Sequence, residues 1–268
     1  MSLMEQLRRN RSGHLDGLQL SAAILFTYRT SWDLSQITSN PLIYEPSEGA
    51  GDNITPSVSP LERFHEKNTS SLLSSMSSYL CKPAFPFGTC HIFAFSHYHL
   101  VGLLHNTPFR DLVAFASWET QKEPALESVA RLMKWRSEGP RARRALFHSG
   151  ALFTHIKDHC RDEYYGAIAL TVAALVLWAY TSLDHHMPEA HGATRNTIRF
   201  DKVIEPSRLK RWIAEDTPTR LFITGIGDLS QPDTATRIIK VASQTLAATT
   251  SWGITDVFIR KLSLLNVK

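Results

Sequence analysis

Metal chemistry is the first possibility that the residue types raise, because the 268 residues include twelve histidines. His155 and His159 stand four apart with Cys160 beside them, the spacing at which two imidazoles on one helix face hold zinc. A zinc hydrolase of that kind also needs a glutamate directly after the first histidine to act as general base. Ile156 occupies that position, and Asp158 precedes the second histidine instead, so no metal site is expected here. His97, His99 and His105, like His185, His186 and His191, follow no fixed ligand spacing and read as surface or loop residues. Cys90 and His91 are neighbours whose side chains leave a helix in different directions, so they do not share an ion.

Other chemistries lack their markers. The stretch TGIGD (224–228) has two glycines, no third, and no recognisable strand–helix–strand setting, so it reads as a tight turn rather than a dinucleotide loop. There is no nucleophile elbow Gly-x-Ser-x-Gly and no phosphate loop ending in Gly-Lys-Ser/Thr. A helical enzyme acting on diphosphates needs clustered aspartates to hold magnesium. The nearest approach, Asp158 with Asp162, has no second acid at either position and lies beside Arg161. Cys81, Cys90 and Cys160 are too few and too far apart for a zinc finger or a six-cysteine binuclear cluster. No catalytic, cofactor-binding or metal-ligating residue is therefore assigned, and the chain is read as a non-enzyme.

The scaffold has to be large enough to bury a core, and 43% hydrophobic content over this length provides for one large domain or two small ones. The excess of 29 Lys+Arg over 25 Asp+Glu gives +4, too mild to indicate nucleic-acid binding by field alone. Three local basic clusters, Arg8/Arg9/Arg11, Arg141/Arg143/Arg144 and Arg208/Lys210/Arg211, are read as solvated faces in preference to phosphate sites. Three cysteines and no cleavable apolar leader after Met1 point to a reducing compartment, so the acceptor patterns at Asn53 and Asn68 read as chance.

Helical periodicity covers most of the chain. Leu15, Leu18, Ala22, Leu25, Phe26 and Arg29 predict an amphipathic helix over 14–31. Pro41, Pro46, Pro56 and Pro60 with a serine-rich run at 70–78 predict a flexible insertion, since so little apolar surface cannot offset its ordering entropy. Helices resume near Cys90. Thr107 is a candidate N-cap with Pro108 at the first helical position, and Pro124 repeats the device before a helix whose stripe is Leu126, Val129, Ala130 and Met133. Ala142, Ala145, Leu146, Leu152, Phe153, Ile156 and Cys160 line the next helix.

The stretch YYGAIALTVAALVLWAY (164–180) is uncharged on every face. Seventeen residues rise about 25 Å, short of a hydrocarbon core of about 30 Å, so burial among protein helices is preferred to a membrane span. After a loop rich in His, Pro and Gly come PSRLKRWIAE (Leu209, Trp212 and Ile213 inward), the strand-or-turn RLFITGIGDL, and two closing helices. Of these, the first carries Ala235, Ile238, Ile239, Ala242, Leu246 and Trp252 in register, and the last is ITDVFIRKLSLL. The expected architecture is all-α, a multi-helix array of about nine helices around 164–180. It is divided as an N-terminal helical segment (1–38), a flexible Pro/Ser-rich insertion (39–80) and a helical regulatory domain (81–268).

HLVGLLHNTPFRDLVAFASW, RRALFHSG, YYGAIALTVAALVLWAY, ITGIGDLSQPD and SWGITDVFIRKLSLL, in that order, resemble the C-terminal regulatory region of fungal zinc-finger transcription factors, the fungal-specific transcription factor domain. Residues 90–182 carry the stronger part and 205–265 a weaker one. The resemblance implies a nuclear, all-helical module that controls RNA polymerase II transcription from a position downstream of zinc fingers. It supplies no catalytic residues. Zinc would belong to the fingers of full-length relatives, and these residues contain no finger, so no cofactor and no DNA contact are expected of this chain alone; a shortened relative or a fragment fits that departure. The expected partners are proteins of the transcription machinery and a small-molecule effector, with no membrane. The alternative from a different class is a helical enzyme or metal-binding protein using a His-rich face.

Overall fold

The computed structural model describes residues 17–39, 73, 89–118, 126–159, 164–183, 196–202, 204–215, 219–249 and 253–267. The elements among them are α1 (Gly17–Ser39), α2 (Thr89–Asn106), α3 (Phe109–Phe115), α4 (Leu126–Ser137), α5 (Pro140–His159), α6 (Tyr164–Ser182), β1 (Asn196–Arg199), α7 (Pro206–Ala214), β2 (Thr219–Ile223), β3 (Gly227–Asp228), α8 (Thr234–Ala247) and α9 (Gly253–Ser263). The class is mostly α, as expected, with one small sheet. Chain contacts divide into two compact units, Met1–Val101 and Gly102–Lys268. The expected Pro/Ser-rich insertion falls outside the described residues apart from Ser39 and Leu73, as do Arg8, Arg9, Arg11, Cys81, Cys160, His185, His186, His191, Pro124 and Trp252.

In the first unit, Leu20, Ala23 and Ile24 of α1 pack with Leu73 and with Ala94, Tyr98 and Val101 of α2. The stripe that predicted α1 lies on its other side: Leu18 is 70% exposed, and Leu25 and Phe26 are exposed as well. Positions 20, 23, 24 and 27 share the helical period equally well. Thr27 joins the buried set because its hydroxyl donates to the Ala23 carbonyl at 2.8 Å.

The second unit is built around α6. Ala167, Ala169, Leu170 and every residue from Val172 to Ala179 are buried, under α5 and α8 above all, with α9 and α3 completing the cover. The alanines let neighbouring helices approach closely, while each fully buried Leu or Val contributes about 1.5–3 kcal/mol. The hydroxyls of Thr171 and Thr181 donate to the Ala167 and Leu177 carbonyls at 2.7 and 3.0 Å, so no polar atom of theirs asks for water. Tyr165–Ser182 passes the length and hydropathy test for a membrane span, with 72% of it buried within the fold.

Two expectations about the helices before α6 are corrected. Thr107 does not cap α3: its hydroxyl donates back to the Leu103 carbonyl of α2 at 2.8 Å, and Pro108 stands at the N-cap position without a side-chain bond. It serves the end of α2 instead, whose last carbonyls have no partners within the helix. The Asn106 carbonyl is taken by the Trp135 indole N–H at 2.8 Å, and the His105 carbonyl faces Arg141. That indole bond also reverses α4. Ser128, Leu132 and Trp135 are buried, whereas Leu126 is 87% exposed and Ala130 and Met133 also face outward.

The loop expected before α7 contains β1, which pairs in parallel with β2, Ile198 opposite Leu221; β3 then adds antiparallel to β2. A strand–helix–strand setting, β1–α7–β2, therefore exists, against expectation.

Candidate functional site

Helix α5 supports the small sheet along its length. Near its start the Arg143 guanidinium donates to the Ile213 carbonyl at the end of α7, at 3.0 Å. At its middle Gly150 lies against Phe200, close enough that a Cβ there would stand 2.5 Å from the ring. Phe200 in turn meets Trp212 of α7 with ring centroids 5.9 Å apart. Near its end the Lys157 ammonium donates to the Thr224 carbonyl at 3.2 Å. Glu205 caps α7, and its carboxyl is held below the usual range by the Ser207 hydroxyl first and then by the backbone N–H groups of Ser207 and Arg208, all of which donate to it.

TGIGD is the turn of the β2–β3 hairpin, and no helix begins in it, so it is not a dinucleotide loop despite the strand–helix–strand unit upstream. Gly225 and Gly227 have φ of +90° and +100°, which favours glycine. Around the turn, the Arg199 guanidinium donates to Asp201 at 2.9 Å and to the Thr224 hydroxyl at 3.0 Å, and that hydroxyl donates to Asp201 at 2.8 Å. Burial pushes the Asp201 carboxyl up, but these hydrogen bonds outweigh it and hold the group below its ordinary value. Asp228 pairs with Arg220 at 2.9 Å and also accepts from the Ser230 backbone and hydroxyl. These carboxylates hold the turn's backbone, hydroxyls and arginines in place.

The histidines are distributed differently from expectation. His99 is buried, its ring 4.4 Å from that of Phe95 and 5.0 Å from that of Tyr98. His97 is half-buried, and that burial lowers its pKa. His148 lies flat against Gly102, where a Cβ would stand 2.4 Å from the imidazole. Burial, with His105 and Arg144 nearby, lowers its pKa to about 3. His155 and His159 remain together on the last turns of α5, ring centroids 5.1 Å apart. Among the described residues no three His, Cys, Asp or Glu side chains form a metal-sized group.

Of the two described basic clusters, Arg141, Arg144, Arg208, Lys210 and Arg211 are exposed, in keeping with solvated faces, while Arg143 is buried in the α5–α7 contact. Apolar side chains left outside form short stripes: Leu18, Ala22, Leu25 and Phe26 on α1; Leu126, Ala130 and Met133 on α4; Ile254 and Val257 on α9, with Leu264 just beyond it. Stripes of this kind are what helix-to-protein contacts use. The stripe on α4 was visible as a period in the sequence but was assigned to the interior. Trp135, which offers a larger apolar area and an N–H needing a partner, was the signal that the opposite side is buried.

The chain is similar to a fungal transcription factor. It is 24% identical over 154 residues, 58% of its length, to a protein of Gibberella fujikuroi named "Transcription factor". The match spans 20% of that protein, so the chain corresponds to about a fifth of its relative's length. No family model matches the chain. No solved structure matches it. The match agrees with the resemblance drawn from the helical segments as far as a fungal transcription factor, and it singles out no individual side chain.

Proposed function

We propose that this chain is the regulatory, non-DNA-binding helical module of a fungal zinc-finger transcription factor relative. In this reading it acts in the nucleus on genes read by RNA polymerase II. It works through contacts with proteins of the transcription machinery and responds to a small-molecule effector, without catalysing a reaction and without a membrane. Zinc and DNA contact belong to the fingers of full-length relatives, and this chain is assigned neither. The observation that carries the reading is the match over more than half of the chain to a protein named as a transcription factor. The exposed apolar stripes on α4 and α9 support it as surfaces that fit helical partners. The test is a tethered-reporter assay in yeast, with the chain fused to an unrelated DNA-binding domain. Reporter output that rises or falls relative to the DNA-binding domain alone is the expected result. Unchanged output from a fusion that is folded and nuclear overturns the reading.

A further inference from the structure

We infer that His155 and His159 form a two-imidazole chelate for a divalent d-block cation, with copper(II) held most tightly. This goes beyond the regulatory reading and does not depend on it. On a helix, residues four apart are about 40° apart around the axis and about 6 Å along it, so their side chains stack on one face. Here the rings do so, with centroids 5.1 Å apart, and metal–nitrogen bonds of about 2.0–2.1 Å let both rings reach one ion without backbone movement.

Three features of the position favour a cation. The pair occupies the final turns of α5, toward the negative end of the helix dipole. Lys157, the nearest cation in sequence, projects about 200° from either histidine, and its ammonium is engaged with the Thr224 carbonyl and, at 3.6 Å, with Asp158. His159 is exposed and His155 half-buried, so the pair is reachable from solvent through His159. Among the described residues no third protein ligand joins them. With imidazole donors and no thiolate among the described ligands, affinity follows the order in which copper(II) exceeds nickel(II) and zinc(II).

The full chain is titrated with copper(II), nickel(II) and zinc(II) salts, one ion at a time, by calorimetry, with copper(II) also followed by electron paramagnetic resonance. The expected result is one tight copper(II) per chain, weaker nickel(II) and zinc(II), and a loss of about tenfold or more in copper affinity in His159→Gln. That substitution is at an exposed position and leaves the core intact, as circular dichroism would verify. His155→Gln is expected to show the same loss. Copper affinity unchanged in folded His159→Gln, or a folded parent chain that takes up no copper, overturns the inference.

Discussion

Helices α6 and α4 belong to the same compact unit and meet its interior in opposite ways. α6 presents apolar surface all round, and α5, α8, α9 and α3 cover it on successive sides, so its orientation about its own axis hardly alters what is buried. α4 packs mainly on α3 and α5, with Trp135 reaching the Asn106 carbonyl of α2 and Arg136 lying over the Tyr180 ring of α6, and it turns one side outward. It has two apolar sides to choose between, Leu132 with Trp135 and Leu126 with Ala130 and Met133. The side that wins is the one whose largest residue finds a partner for its N–H, the Asn106 carbonyl. The arc of apolar surface shows that a helix is buried, and a single anchoring contact shows which way it faces.

Breaking the first half of this comparison has the largest expected effect. Leu175→Asp puts a carboxylate at a fully buried position of α6 with cover on all sides. It should cost about 4 kcal/mol or more and abolish the cooperative thermal transition. Breaking the anchor of α4 comes next: Trp135→Ala should lower stability by about 3–5 kcal/mol in urea unfolding, by removing its packing and leaving the Asn106 carbonyl without that donor.

A smaller, pH-dependent effect comes from His148 of α5, the helix that α4 packs on, whose ring lies against Gly102 of α2. Its imidazole stays neutral in the folded state down to about pH 3, against 6.5 for the ordinary group. Below pH 6.5 the unfolded chain therefore binds a proton that the folded chain refuses, and stability falls as pH is lowered. Each unit in that interval removes about 1.4 kcal/mol, and above it His148 adds no slope. Urea midpoints between pH 4 and pH 8 should show a shallower acid decline in His148→Gln than in the parent. The smallest stability effect belongs to the outer side of α4. Leu126→Lys should change stability by no more than about 0.5 kcal/mol while lowering the output of the tethered reporter, which would separate a contact surface from the core.

Much of the helical organisation was readable from residue period and punctuation, including the ends of α5 and α7, the burial of α6 and the turn at 224–228. What was misread has specific causes. Leu18, Leu25 and Phe26 form as good a stripe as Leu20, Ala23 and Ile24, and only the packing of Leu73, Ala94 and Tyr98 selects the second. Thr107 has the residue type of an N-cap, but its hydroxyl had a competing acceptor one turn back. β1 is four residues long, with only Ile198 facing inward, too short for alternation to register before β2 is known to lie beside it. The spacing of His155 and His159 along one helix was legible, whereas the inward placement of His148 depended on Gly102, a neighbour far away in sequence.

By itself the sequence determined that this chain is mostly helical and that 164–180, uncharged and apolar all round, needs cover on every side; its length favoured protein helices over lipid. Only the tertiary structure decided which sides of α1 and α4 turn inward, that β1 and β2 pair across α7, and that Arg143 is held inside by the Ile213 carbonyl. Local periodicity identifies surfaces that can be buried. Choosing among them takes a partner at a distance, and that partner is specified by three-dimensional packing.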